Sequence, residues 1–113
     1  MTLLAQDDVG GLQVRMPVGT WGDVEPMPGS FILNTGEMLR RWSGGRLLAT
    51  PHRVVNHPDA DRYSVAYFYD PDMRATVAPL ARWAGAGDRI EPVRFDDYVR
   101  SQLDATYDQR RTP

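Results

Sequence analysis

The chain has 113 residues, 42% of them hydrophobic and 25% charged, with a formal charge of −2; that suits one small globular core and offers no nucleic-acid footprint or polybasic membrane face. It has no cysteine, which excludes disulfides, thiolate metal ligands and cysteine nucleophiles and makes a reducing cytoplasm the expected compartment. All 13 basic residues are arginine, so a lysine Schiff base or lysine nucleophile is excluded as well.

Taken in order, the chain reads as β for its first two-thirds. Thr2–Gln6 and Leu12–Arg15 are expected strands, and the Gly-containing "DDVGG" between them suits a hairpin. Within "GLQVR", Leu12 and Val14 share one face while Gln13 and Arg15 share the other, as a half-buried strand requires. The text is strand-like from its second residue, which suggests that a further segment once preceded it. "EPMPGS" is a turn leading into the apolar strand "FILN". In "TGEMLRRWSGG", Met38, Leu39 and Trp42 fall at helical spacing and Gly44–Gly45 provides a stop.

"RLLAT" and "HRVVN" are expected strands around Pro51. "DRYSVAYFYD" alternates, placing Tyr63, Val65, Tyr67 and Tyr69 on one face and Arg62, Ser64, Ala66 and Phe68 on the other. The pattern weakens through "VAPL" and the flexible "AGAGD". The last element, "FDDYVRSQLDATYDQRR", spaces Phe95, Val99, Leu103 and Tyr107 four apart, an amphipathic helix expected to pack on the sheet. Asp96 and Asp97 at its start and Arg110 and Arg111 at its end suit the helix dipole. The whole is expected to be mainly β: one domain, with residues 2–94 as a β-rich part and 95–111 as a terminal helix.

Both histidines lie between Thr50 and Asp72. Arg62 and Ser64, two apart on a strand, project together, and a planar guanidinium beside a hydroxyl makes a carboxylate clamp. If the His52 strand pairs with the Arg62 strand as a hairpin, imidazole and clamp open toward one cavity, an arrangement suited to a metal that a bound acid also chelates. By spacing alone the structural readings are the usual ones, His52 as a hydrogen-bonded strand residue and Arg62 as a solvated or ion-paired cation, and no site is assigned on that ground. Trp21, Trp42 and Trp83 are expected to pack in the core.

Three stretches in correct order, "TLLAQDDVGGLQV", "PMPGSFILNTGEMLRRWSGGRLLATPHRVVN" and "RYSVAYFYDPD", resemble the C-terminal half of the catalytic domain in the isopenicillin N synthase-like family. The resemblance covers residues 2–72 and implies a partial double-stranded β-helix, or jelly roll, with a short internal helix and a C-terminal helix. It implies Fe(II) and 2-oxoglutarate as cofactors and oxidation of a small molecule. It also implies that His52 is an iron ligand and that Arg62 and Ser64 hold the distal carboxylate of 2-oxoglutarate.

The family's remaining iron ligands form a His-x-Asp motif, which in this numbering would precede Met1. His57-Pro58-Asp59 has that spelling but follows His52 and sits in a polar turn, so it is not expected to bind iron. No catalytic residue is assigned. The expectation is a truncated oxygenase that is inactive alone. It would associate with itself or with a partner supplying the missing part, because unpaired sheet edges and an uncovered apolar face are left over. The alternatives are a non-catalytic binding or interaction module and a full-length dioxygenase whose true start lies upstream.

Overall fold

A computed structural model describes residues 1–84 and 89–109, with side chains of the last helix described through Ala105. The expectations for residues 85–88, the Tyr107 side chain and the Arg110–Arg111 pair lie outside the described residues. In chain order the elements are β1 (Thr2–Gln6), β2 (Leu12–Arg15), β3 (Trp21–Asp23), β4 (Ile32–Asn34), α1 (Glu37–Trp42), β5 (His52–Val54) and β6 (Ser64–Phe68). After these come β7 (Thr76–Val77), a 3-10 turn at Ala81–Trp83, β8 (Val93–Arg94) and α2 (Phe95–Gln109). Among the described residues no helix is long and apolar enough to cross a membrane. By internal contacts the chain divides into two units, Met1–Leu39 with Leu48–Tyr69, and Arg40–Leu47 with the chain from Asp70 on.

The first unit is two antiparallel three-stranded sheets, ordered β4-β1-β6 and β3-β2-β5. Period-2 alternation decides which side chains face inward. On β1, Leu4 stands opposite Ile32 of β4 and Ala66 of β6; on β2, Leu12 stands opposite Val54 and Val14 opposite His52. The outer faces differ. That of β3-β2-β5 is polar: Gln13 donates to Asp23 at 2.8 Å, Arg53 donates to Gln13 at 2.8 Å, and the Arg53 guanidinium lies 4.3 Å over the Trp21 ring. That of β4-β1-β6 carries Leu3, Leu33, Val65 and Tyr67, all exposed.

The expected β1–β2 hairpin does not form: β1 and β2 belong to different sheets. The intervening loop is committed elsewhere. The Asp7 carboxylate accepts the Val9 N–H at 3.2 Å and the Tyr63 N–H, and Gly10 and Gly11 at positive φ turn the chain across to the second sheet. Gly11 also brings β2 against the chain after β5, where the Val55 N–H donates to the Gly11 carbonyl at 2.8 Å. A Cβ at position 11 would lie 2.3 Å from the Val55 carbonyl oxygen. "RLLAT" is not a strand either. Its Leu47 N–H is taken by the Ser43 hydroxyl at 2.9 Å and its Leu48 carbonyl by the Thr35 hydroxyl at 2.7 Å, local side-chain bonds that compete with a ladder.

In the second unit, Gly45 N–H donates to the Arg40 carbonyl at 2.8 Å and Gly44 N–H to that of Arg41 at 3.1 Å, closing α1 as the glycine pair leads one to expect. Ser43, buried, is satisfied by the Arg40 carbonyl and the Leu47 N–H. The two-residue strands β7 and β8, too short to announce themselves by alternation, pair Thr76 with Arg94 and Val77 with Val93. Val77 is fully enclosed, and Phe95, the first residue of α2, is buried beside this hairpin, with its N–H on the Ala75 carbonyl at 3.0 Å. Further along the stripe Val99 is half-buried, while Leu103 is 53% exposed and does not take the expected packing. The first turn of α2 is anchored to that hairpin. There Arg94 grips Asp96 through two hydrogen bonds, of 3.0 and 2.6 Å, and Asp96 in turn accepts the Asp97 N–H.

Gly11→Ala is expected to destabilise the protein by on the order of 2 kcal/mol, since it combines a disfavoured φ with a backbone collision; a chemical denaturation midpoint measures it. The hydrogen bond from Arg94 holds the Asp96 carboxyl below its ordinary range. A lowered carboxyl contributes stability above its unfolded pKa and loses it as pH falls through the folded value. Thermal melts should therefore show Asp96→Asn melting below the parent at neutral pH, with the gap closing as the solution is acidified through the carboxylate range.

Candidate functional site

Between the two sheets of the first unit lies a cavity of about 430 Å³. Its apolar walls are Leu4, Ile32 and Ala66 from one sheet and Leu12, Val14 and Val54 from the other. Its ends are polar. Gln6 is in register with Ser64 at one end of β1, and Thr2 with Asn34 at the other, so the two ends stand roughly 13 Å apart at strand spacing.

Arg62 and Ser64 occupy the first end. Arg62 is half-buried, and its guanidinium is fixed by three uncharged oxygens. Nε donates to the Gly10 carbonyl at 2.8 Å, Nη1 to the Ser64 hydroxyl at 3.2 Å and Nη2 to Gln6 Oε1 at 3.1 Å. A guanidinium has five N–H donors, so two remain for something else. No carboxylate pairs with Arg62 among the described residues. The charge is therefore held in place by neutral groups and lines a cavity without a counter-ion.

His52 occupies the other end. It is exposed, and its Nδ1 lies 3.4 Å from the Thr50 carbonyl and 3.5 Å from the Asn34 side-chain amide. The Thr50 carbonyl can only accept and favours a proton on Nδ1, whereas the Asn34 amide nitrogen can only donate and favours a bare Nδ1; with the proton on Nδ1 the Nε2 lone pair is the one free to ligate a metal. Among the described residues no three His, Cys, Asp or Glu side chains group so as to hold a metal ion. His57 and Asp59 lie in the exposed turn between β5 and β6.

His52, Arg62 and Ser64 thus line one cavity, but not by the expected route. β5 and β6 do not form a hairpin; they belong to opposite sheets, and imidazole and guanidinium meet across the interior. Gln6, Gly10 and Asn34, which hold or approach these groups, were not expected in the site. Gln6 and Thr2 have the same parity as Leu4 on β1, a signal that alternation contains; the Gly10 carbonyl has no side-chain signature at all. The tryptophans are not enclosed: Trp21, Trp42 and Trp83 are half-buried, and Arg82 lies 4.2 Å over Trp83.

The sequence profile of the 2OG-Fe(II) oxygenase superfamily matches residues 1–71. A 2-oxoglutarate-Fe(II) type oxidoreductase of Emericella nidulans is 36% identical over 110 residues, covering 95% of this chain and 32% of that protein. A homoarginine-6-hydroxylase of Glycine max is 46% identical over 81 residues, 71% of this chain and 24% of that protein. Among solved structures, the rice dioxygenase for auxin oxidation superposes with a TM-score of 0.82 at 35% identity over 93% of this chain and 37% of that one. A full-length Neurospora crassa protein, solved in complex with alpha-KG and thymine, gives 0.81 at 35% identity over 94% of this chain and 34% of that one. The chain spans between about a quarter and a third of the length of the curated relatives it matches. These superpositions identify the two sheets as part of the double-stranded β-helix.

Proposed function

Because this chain belongs to the 2OG-Fe(II) oxygenase superfamily, we propose that its cavity is the 2-oxoglutarate-binding part of an oxygenase site. The observation that carries this reading is the Arg62 guanidinium, fixed by neutral oxygens and left with two N–H donors and no counter-ion. Those donors suit the distal carboxylate of the acid, with the Ser64 hydroxyl as a further partner. The methylene groups of a five-carbon diacid then face Leu4, Leu12 and Ala66, and its oxo-acid end points toward His52. The apolar walls lower the local dielectric beside the half-buried guanidinium and strengthen the pair.

His52 is proposed as one ligand for Fe(II). The described residues fit the acid but not, by themselves, the metal: a facial triad needs two imidazoles and a carboxylate, and one imidazole is present here. No chemical step is therefore routed through iron in this chain, and the chain alone is proposed to be inactive as an oxygenase. It is proposed to associate with itself or with a partner supplying the missing part, but a second copy brings only another His52, so oxidation of a small molecule needs a partner that supplies a carboxylate. Of the four edge strands of the two sheets, β5 and β6 are exposed along their whole length and offer the place. The second reading, a non-catalytic module that binds a carboxylate, rests on the same arginine without the imidazole.

Anaerobic calorimetric titration separates them. Arg62→Leu is expected to weaken 2-oxoglutarate binding by roughly 30-fold or more, the effect of removing one partner of a partly buried charge pair, with Arg62→Lys falling between. Binding unchanged in Arg62→Leu would sink both readings. Mn(II) is expected to tighten acid binding in the parent and not in His52→Ala; no effect of metal on the parent would leave the carboxylate module. Succinate release by the isolated chain with Fe(II), ascorbate and oxygen is expected to stay at background.

A further inference from the structure

The edge of β6 has a direction. Met1 exchanges hydrogen bonds with Tyr69, at 3.1 and 2.8 Å, and the Asp7 N–H donates to the Tyr63 carbonyl at 3.1 Å. Odd-numbered residues from 63 to 69 therefore turn their N–H and C=O groups toward β1. The even ones, Ser64, Ala66 and Phe68, turn theirs to the open side. β6 ends the order β4-β1-β6, and all five of its residues are exposed. It carries none of the usual guards of a free edge: no proline, no charge and no bulge within Ser64–Phe68. The other edge strands of the two sheets, β3, β4 and β5, are each three residues long, and β3 and β5 carry Asp23 and Arg53.

We propose that β6 pairs antiparallel with β6 of a second copy, about a two-fold axis at Ala66. The pairing deepens the association proposed above and rests on that reading, but it needs neither metal nor acid. The strand is self-complementary about this centre. Ala66 meets Ala66 and Ser64 meets Phe68, so every outward N–H and C=O of the strand is used. On the outer face Val65 meets Tyr67 and Tyr63 meets Tyr69, aromatic and β-branched pairs that favour strand association. The two three-stranded sheets become one of six strands, with the exposed Leu3, Val65 and Tyr67 continuous across it. A symmetric interface of this kind closes at two copies.

Sedimentation equilibrium of the full chain is expected to give the mass of a dimer. Ala66→Pro removes an outward N–H that β1 does not use, so it is expected to keep the parent circular dichroism and sediment as a monomer. The chain has no cysteine, so single-cysteine variants report the register. Under mild oxidant Ala66→Cys is expected to form a disulfide-linked dimer, its Cα atoms facing at about 5.5 Å, whereas Val65→Cys and Tyr67→Cys place identical positions beyond about 7 Å and stay unlinked. A monomeric parent, a folded dimeric Ala66→Pro, or preferred cross-linking at 65 or 67 each overturns the proposal; if Ala66→Pro does not fold, the cross-linking pattern alone decides. Arg62-dependent acid binding by a monomeric chain would overturn the pairing and leave the functional reading standing.

Discussion

The bond from the Arg62 guanidinium to the Gly10 carbonyl carries more of this molecule than any other contact. Arg62 leads into β6, in one sheet, and Gly10 leads into β2, in the other, so the bond ties the two sheets at one end of the cavity. It also sets the plane of a permanent cation. Because the other partners of that cation are a hydroxyl and a side-chain amide, the same geometry that holds the sheets together keeps a positive charge unmatched inside a largely apolar space. An internal acidic partner would have served the fold as well and abolished the site, since the charge would already be neutralised.

Much of this was legible in the residues. β1, β2 and β6 announce themselves because alternation over four or more positions leaves little ambiguity, and the inward set on β6, from Arg62 to Phe68, follows from parity alone. Gly44–Gly45 stops α1 for a local reason, and local reasons are written in local sequence. Pairing is not local. Nothing in "DDVGG" tells a hairpin from a crossover between sheets; the choice is made by Asp7 reaching Tyr63, more than fifty positions away. For the same reason the meeting of His52 with Arg62 was foreseeable as a shared cavity, while its route, across facing sheets, was not. "RLLAT" misled because two hydroxyls, Ser43 and Thr35, take the backbone groups that a ladder would need.

Family membership and geometry bear on different parts of the site. Membership identifies the fold; the geometry shows a guanidinium held by neutral oxygens at one end of the cavity and a single imidazole at the other. The two sheets of the first unit are also unequal. One has a polar outer face of linked side chains, Arg53, Gln13 and Asp23, and the other has an apolar outer face, so only the first is finished against water.

That unfinished face has a cellular consequence. Chaperones and proteases survey proteins for bare apolar surface, and wherever Leu3, Leu33, Val65 and Tyr67 stay exposed as they are in this chain, a folded polypeptide would present it. Turnover of the polypeptide would then depend less on how well it folds than on how often that surface is shielded, and its abundance would follow whatever provides the shield.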